Sequence, residues 1–214
     1  MTKRYFFVVA AIALAAGIAG VYFGRSMMGP VLEPLESGTA FPQPAALSDF
    51  SLLDTKGAPV TPAELRGHPT LVFFGFTHCP DVCPTTLALL SAVQRELALP
   101  GLKIALISVD PERDTPEQMG KYISAFRGDL IGLTGTVPEI VKAQKTFGVA
   151  SSRVELAGGG YTMDHSATVF VLDSQARRVA VFTPPMRVEA MMRDLRKLSS
   201  GLMAAPATTE GKRS

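Results

Sequence analysis

The chain has 214 residues, 47% of them hydrophobic, and a formal net charge of +2, so it is long enough to bury a full core. No long run of Lys and Arg occurs, which excludes the basic footprint of a nucleic-acid-binding protein. Two cysteines are too few for a disulfide scaffold, and their separation by four positions indicates a site.

The N-terminal segment is predicted to be a membrane anchor. Lys3 and Arg4 precede an apolar run over residues 5–23, roughly 19 residues, which is about the length that spans a bilayer as a helix. The pattern predicts an uncleaved anchor over residues 1–26. A removed signal peptide stays the alternative, because the run contains a small-x-small pattern. The positive charges before the run predict a cytoplasmic N-terminus and a globular domain on the periplasmic side.

Three further regions follow from composition. Residues 27–45 are rich in proline and glycine, which predicts an extended linker. Residues 46–199 carry the alternating apolar patterns of a globular domain. Residues 200–214 are small and polar and predict a disordered tail.

The domain is predicted to alternate strands with helices. In chain order we expect a strand at 50–53, a strand at 71–76, a helix at 84–98, a strand at 103–109, a helix at 116–126, a strand at 130–133, a helix at 138–147, an extended segment at 149–156, a hairpin of 168–172 with 179–182, and a helix at 187–198. This order predicts an α/β fold with a central mixed sheet flanked by helices. A dithiol at the first strand-to-helix junction of such a sheet is the thioredoxin-like arrangement.

Cys79 and Cys83 lie where the strand at 71–76 gives way to the next helix. The amides and dipole of a helix N-terminus favour a thiolate over a thiol. Two adjacent thiolates can form a disulfide, exchange disulfides with a partner, or bind a soft ion such as Cu(I). A structural zinc site would need four ligands, which the cysteines and histidines do not readily supply.

The chain has three histidines that are candidate additional ligands. His68 lies on a predicted surface turn, where solvent exposure is the expected role. His78 adjoins the first cysteine, and both ligation and exposure stay open for it. His165 precedes a buried strand, and its loop is expected at the same end of the sheet as the dithiol. Ligation and hydrogen-bonded packing both stay open for His165, whereas Asp164 and Met163 favour structural and packing roles.

Three stretches of the sequence resemble one family. They are Phe73–Pro84 with C-P-D-x-C-P, Val109–Pro116 with D-P-x-x-D-T-P, and Tyr161–Ser166 with D-H-S. Together, in this order and spacing, they are similar to the Sco/SenC copper-chaperone family over about residues 45–199. A C-x-x-x-C pattern alone would be weak, whereas the three stretches together are specific.

The resemblance implies a copper site. The family's ligands correspond to Cys79, Cys83 and His165, a set that suits both Cu(I) and Cu(II). Asp81, between the two cysteines, is expected to be a solvated loop carboxylate. Because oxidation of the cysteines removes two ligands, copper loading is expected to depend on redox state.

The function implied is that of a membrane-tethered chaperone, not an enzyme. It would deliver copper to, or prepare, the dinuclear copper site of cytochrome c oxidase subunit II, with a copper donor protein as a second partner. The expected location is the cytoplasmic membrane, single-pass, with the domain in the periplasm. The main alternative is a thiol–disulfide oxidoreductase acting on the oxidase cysteines, or a redox sensor. A peroxiredoxin-like peroxidase and a purely structural disulfide explain fewer of the motifs.

Overall fold

A computed structural model describes residues 34–203 of the chain, together with helical residues 13–14, 16–17 and 20. The chain divides into two compact units, Met1–Glu33 and Pro34–Ser214. The predicted anchor over residues 1–26 lies almost wholly outside the described residues, and so does the tail from residue 204. Among the residues that are described, no helix combines the length and the apolar character needed to cross a membrane.

Residues 34–203 contain ten strands and four helices. The strands are β1 (Gly38–Ala46), β2 (Leu52–Leu53), β3 (Pro59–Val60), β4 (Thr70–Gly75), β5 (Lys103–Ser108), β6 (Leu130–Leu133), β7 (Ser151–Glu155), β8 (Tyr161–His165), β9 (Val169–Leu172) and β10 (Arg177–Phe182). The helices are α1 (Val82–Leu97), α2 (Pro116–Ile123), α3 (Val137–Phe147) and α4 (Val188–Leu202).

A mixed six-stranded sheet forms the centre of the domain, in the order β1-β10-β9-β4-β5-β6. β4, β5 and β6 run parallel, while β9 pairs antiparallel with both β4 and β10. This confirms the predicted thioredoxin-like α/β fold. Because β4 and β5 are parallel neighbours, the loops that follow them emerge at the same edge of the sheet.

The core forms where the sequence is most regularly apolar. Every residue of β4 is buried, as expected for a continuous apolar run between covered faces. In α1, Leu87, Leu90 and Val93 are completely buried, so the predicted three-and-four spacing identifies the face that packs inward. Burying each such side chain contributes about 1.5–3 kcal/mol to the stability of the fold, and this burial holds α1 against the core.

Local signals set the start of α2 and the end of α3 where they were predicted, whereas α2 ends at Ile123, three residues before the predicted end. The hydroxyl of Thr115 accepts a hydrogen bond from the backbone N–H of Gln118 at 3.2 Å, and Pro116 occupies the first turn. α3 ends at Gly148, whose φ of 72° lies in the left-handed region that glycine tolerates. These caps fix where α2 begins and where α3 ends.

The linker predicted over residues 27–45 ends earlier than expected. Gly38–Ala46 forms β1, an edge strand that pairs antiparallel with β10. Its two prolines lie in the irregular stretch between the paired residues Ala40 and Ala45, where the ladder does not need their missing N–H groups. At the other end, α4 continues to Leu202, past the boundary predicted at residue 199.

The start of β1 is fixed by a buried carboxylate. Asp194 of α4 accepts hydrogen bonds from the backbone N–H groups of Glu36 at 2.6 Å, Ser37 at 2.8 Å and Gly38 at 3.0 Å. Burial alone raises the pKa of Asp194, but these donors outweigh it, and the pKa lies below its ordinary value. A carboxyl with a lowered folded-state pKa stabilises the fold above its unfolded pKa, about 3.9, and loses that contribution as the pH falls further.

We expect Asp194→Ala to lower the free energy of unfolding by about 2–3 kcal/mol at pH 7, because several N–H donors lose their charged acceptor. Chemical denaturation measures this change. Glu189→Ala, which removes an exposed carboxylate from the same helix, is the matched control and is expected to change stability by less than about 0.5 kcal/mol. Equal stability of the two variants would show that Asp194 does not anchor β1.

Candidate metal centre

The two cysteines sit at the junction between β4 and α1. Cys79 lies in the connecting loop and is half-buried, whereas Cys83 lies in the first turn of α1 and is completely buried. The backbone N–H of Cys83 donates to Sγ of Cys79 at 3.3 Å. The N–H of Cys79 in turn donates to the carbonyl of Phe76 at 3.3 Å. These hydrogen bonds fold the loop so that the two sulfur atoms lie close together.

His165, the last residue of β8, completes the group. Its Nε2 lies 3.4 Å from Sγ of Cys83, and its Nδ1 lies 3.1 Å from the carbonyl oxygen of Ser166. Since a carbonyl only accepts, Nδ1 carries the proton, and the lone pair of Nε2 faces the sulfur atoms. The ring also packs edge-on against Phe73 and Phe76, at centroid distances of 6.0 and 5.7 Å.

The ligand atoms of Cys79, Cys83 and His165 all lie within 4.8 Å of one another. Two sulfur donors and one imidazole nitrogen form a set that favours thiophilic ions such as copper. The backbone carbonyl that fixes the imidazole tautomer is a typical outer partner of a metal-binding histidine. The geometry therefore suits a small copper site, with Cys79 on its solvent side.

Burial changes the expected chemistry of Cys83. It raises the pKa of this thiol well above its ordinary value, and the hydrogen bond with Cys79 raises it further. Desolvation therefore opposes the thiolate that the helix N-terminus is expected to favour at Cys83. A thiolate here needs a nearby positive charge, and binding of a cation would supply it while displacing the proton.

Burial acts on His165 in the direction that favours ligation. It lowers the pKa of the imidazole below its ordinary value, more strongly than the Ser166 carbonyl and Asp164 raise it. The ring is therefore neutral at pH 7, the form that can donate a nitrogen lone pair to a metal.

The other two histidines are not among the clustered ligand groups of the described residues. His68 precedes β4, and its Nδ1 lies 3.1 Å from the hydroxyl of Thr70, so it occupies the opposite end of the strand from the dithiol. It is half-buried, not exposed as expected. His78 is exposed beside Cys79, with its Nδ1 3.1 Å from the hydroxyl of Thr77. Within the described residues, neither belongs to the metal-ligating group.

The carboxylates and the thioether near the motifs take structural or solvated positions. Asp81 is exposed and accepts a 3.3 Å hydrogen bond from the hydroxyl of Thr85. Asp164 is exposed, and the Ser166 carbonyl takes the orienting role that a carboxylate can have. Met163 is half-buried and lines a cavity of about 240 Å³ between α3 and the β7–β8 hairpin.

The sequence motifs did not predict the role of Asp114, which anchors the loop that carries the cysteines. Its completely buried carboxylate accepts hydrogen bonds from the backbone N–H of Thr77 at 3.1 Å, from the Thr77 hydroxyl at 2.7 Å and from the Ser108 hydroxyl at 2.7 Å. Thr77 precedes Cys79 by two positions. Asp114 belongs to the D-P-x-x-D-T-P motif. That motif follows β5, the strand parallel to β4, so its position indicated a segment near the dithiol loop.

Gly75 is a second residue whose role was not predicted. A Cβ atom at this position would lie 3.0 Å from Sγ of Cys83 and 3.0 Å from Cε1 of Phe73. The missing side chain therefore makes room for the buried sulfur behind the last residue of β4.

We expect Gly75→Ala to lower the free energy of unfolding by about 1–3 kcal/mol, because the new methyl group crowds a packed site. Gly201→Ala is the matched control, since a Cβ there meets nothing within 4 Å and the residue is helical. Removing that helical glycine is expected to stabilise the protein by about 0.5–1 kcal/mol. Denaturant titration of the metal-free proteins measures both changes. A Gly75→Ala variant as stable as the wild type would show that the site around Cys83 can accommodate a methyl group without strain.

A dithiol at the strand-to-helix junction of a thioredoxin-like sheet, joined by an imidazole from a separate hairpin, defines a thioredoxin-like protein with a Cys–Cys–His candidate metal centre. The chain belongs to the SCO1/SenC family, whose family model matches residues 39–200. This confirms the resemblance noted from the three motifs.

Similar proteins occur in mitochondria and bacteria. The mitochondrial SCO2 homolog of Mus musculus is 41% identical over 130 residues, which cover 58% of this chain and 51% of that protein. A putative copper-binding protein of Stutzerimonas stutzeri is 31% identical over 157 residues, covering 72% of this chain and 77% of that protein. The chain spans about half the length of several mitochondrial relatives that it matches.

Solved structures share the fold. Bradyrhizobium japonicum ScoI with copper bound is 42% identical, with a TM-score of 0.65, covering 72% of this chain and 99% of that one. Yeast Sco1 with copper bound is 28% identical, with a TM-score of 0.69, covering 80% of this chain and 96% of that one.

Proposed function

We propose that this protein binds one copper ion through Cys79, Cys83 and His165. The observation that carries the proposal is the convergence of the three ligand atoms to within 4.8 Å of one another. The copper found in two similar structures supports it. Two thiolates suit Cu(I), and the imidazole adds the nitrogen donor that Cu(II) prefers.

The surroundings of the site support a copper that is held and then released. Phe73 and Phe76 are buried and pack against the imidazole, so one side of the site is apolar. Cys79 is half-buried on the other side, where the thiols of a partner can reach the metal. Copper is then a cargo that passes between sulfur ligands, and no substrate pocket is needed.

We further propose that the cargo goes to cytochrome c oxidase subunit II, whose dinuclear copper site this protein loads or prepares. Membership of the SCO1/SenC family supports this target. The charged and apolar pattern of residues 1–26 supports a single-pass tether that keeps the domain on the periplasmic side. A separate copper donor protein would load the site.

The second candidate function is thiol–disulfide exchange with the cysteines of the oxidase copper site. The partial exposure of Cys79 favours it, because an attacking sulfur must be accessible. The burial and raised pKa of Cys83 do not favour it. Exchange also gives no role to the Nε2 of His165, which lies 3.4 Å from Cys83.

A transfer assay separates the two functions. Full-length reduced protein carrying Cu(I) is mixed with the reduced, metal-free copper domain of subunit II, and the metal content of both is measured after separation. We expect copper to move to the oxidase domain from the wild type. In a parallel reaction, the metal-free dithiol meets the oxidised domain. Rapid disulfide exchange without any copper transfer in the first reaction would support the oxidoreductase and contradict the chaperone.

A further inference from the structure

His165 stands on a small hairpin that is not part of the central sheet. β7 and β8 pair with each other as a separate two-stranded sheet, in register from Ser151 opposite His165 to Glu155 opposite Tyr161. No ladder of backbone hydrogen bonds therefore fixes β8 to β4 within the described residues. The chain ties His165 to the central sheet only at one end of β8, where residues 166–168 lead into β9 beside β4. The other end of β8 is held by contacts that side chains make.

The strongest of these contacts are made to Tyr161, at the start of β8. The Arg113 guanidinium stacks on the Tyr161 ring at 3.7 Å from its centroid, and its Nη1 donates to the Tyr161 carbonyl at 3.1 Å. The Tyr161 hydroxyl donates to Asp110 at 2.9 Å, and Arg113 forms an ion pair with the same carboxylate. Backbone, ring and hydroxyl of one residue are thus all held by the segment that follows β5.

The hairpin has two further attachments that strengthen this arrangement. Arg153 of β7 also stacks on the Tyr161 ring, with its Cζ 3.6 Å from the centroid, and its Nη1 lies 3.4 Å from Glu112. Gln144 of α3 donates to the hydroxyl of Ser151 at 2.6 Å. Tyr161 and His165 lie on the same face of β8, because side chains alternate along a strand. Because β8 has only five residues, the contacts that hold Tyr161 at its start also restrict the position of His165 at its end.

The same segment also holds the dithiol loop. Residues 108–115, which we call the bridge segment, carry Asp110 and Arg113, which hold Tyr161, and Asp114, which holds Thr77. Asp110 and Asp114 are 2% and 0% exposed, so neither is a mobile surface group. The Ser108 hydroxyl joins them, since it donates to Asp114 at 2.7 Å and accepts from the N–H of Asp110 at 3.0 Å.

We propose that the bridge segment is a positioning device that sets the separation between the His165 imidazole and the two thiols through Tyr161. The inference rests on the proposed copper function. Cu(I) is satisfied by two thiolates, whereas Cu(II) depends on the nitrogen donor. The bridge segment therefore sets how strongly the site holds Cu(II) relative to Cu(I), and it gives a role to the D-P-x-x-D-T-P motif that copper ligation alone leaves without one.

Two substitutions at one position test the proposal in the full-length protein. Tyr161→Leu removes both stacks and the hydroxyl, while Tyr161→Phe keeps both stacks and loses only the hydrogen bond to Asp110. In Tyr161→Leu we expect Cu(II) affinity to fall by about 10–100-fold, the usual loss for an outer partner of a metal site, while Cu(I) affinity changes by less than about threefold. In Tyr161→Phe we expect Cu(II) affinity to fall by less than about tenfold.

A measurement on the metal-free proteins separates this inference from the copper function. Proton NMR contacts between the rings of His165 and Phe76 are expected in the wild type and in Tyr161→Phe, and are expected to be lost in Tyr161→Leu. Retention of these contacts in Tyr161→Leu, or equal losses of Cu(I) and Cu(II) affinity, would overturn the positioning role. Failure of the wild type to bind copper would overturn the proposed function instead, while the ring contacts would still decide the role of the bridge segment.

Discussion

Replacing Cys83 with serine is expected to abolish stable copper binding. Loss of an outer partner costs a metal site about 10–100-fold in affinity, so loss of a buried sulfur ligand is expected to cost more than about 100-fold for Cu(I). The hydroxyl of serine has nearly the shape of the thiol but is a hard donor that Cu(I) does not favour. Competition with a Cu(I) chelator measures the change.

The metal-free variant provides the control for this experiment. Because Cys83 is completely buried, the thermal stability of Cys83→Ser must be compared with that of the wild type. A folded variant that keeps wild-type Cu(I) affinity would contradict the assigned site. A folded variant that loses copper would place the loss in the ligand and not in the fold.

Replacing His165 with alanine is expected to separate the two oxidation states of copper. We expect Cu(II) affinity to fall by more than about 100-fold and the thiolate-to-Cu(II) absorption to change, while Cu(I) affinity falls by less than about tenfold. The reason is that the sulfur atoms of Cys79 and Cys83 stay in place, and two soft donors are enough for Cu(I).

His78→Ala is the matched control for His165→Ala. His78 adjoins Cys79 in sequence but is exposed, and its Nδ1 lies 3.8 Å from the Asp114 carboxylate. We expect this variant to retain wild-type affinity for both ions. Equal losses of Cu(I) and Cu(II) in His165→Ala would argue against the assigned geometry, and a loss in His78→Ala as large as in His165→Ala would move the nitrogen ligand to the dithiol loop.

The sequence predicted the parts of the fold that repeat regularly. The continuous apolar run of β4 and the three-and-four spacing in α1 are visible without any structure, and both elements form within about two residues of the expected ends. The proline and glycine content of residues 27–45 predicts a linker, whereas the structure places Pro42 and Pro44 in an edge strand, a position that tolerates proline and that composition does not reveal. β8 was not recognised as a strand, because its half-exposed hairpin shows little apolar alternation.

For similar reasons, only some residues of the site could be predicted from the sequence. The spacing of Cys79 and Cys83 marks a dithiol directly, whereas His165 lies 82 positions beyond Cys83 and joined the ligand set only through the family resemblance. The roles of Asp114 and Tyr161 depend on contacts between segments that are distant in the chain. The raised pKa of Cys83 follows from complete burial, which the helix N-terminus signal did not predict.

In the proposed site, two sulfur atoms and one imidazole nitrogen hold a single copper ion. X-ray absorption at the copper edge, on full-length protein loaded with one equivalent of Cu(II), tests this arrangement most directly. We expect a first shell with two sulfur donors and at least one imidazole nitrogen, and loss of the imidazole scattering in His165→Ala but not in His78→Ala. A first shell of oxygen and nitrogen donors without sulfur would contradict it.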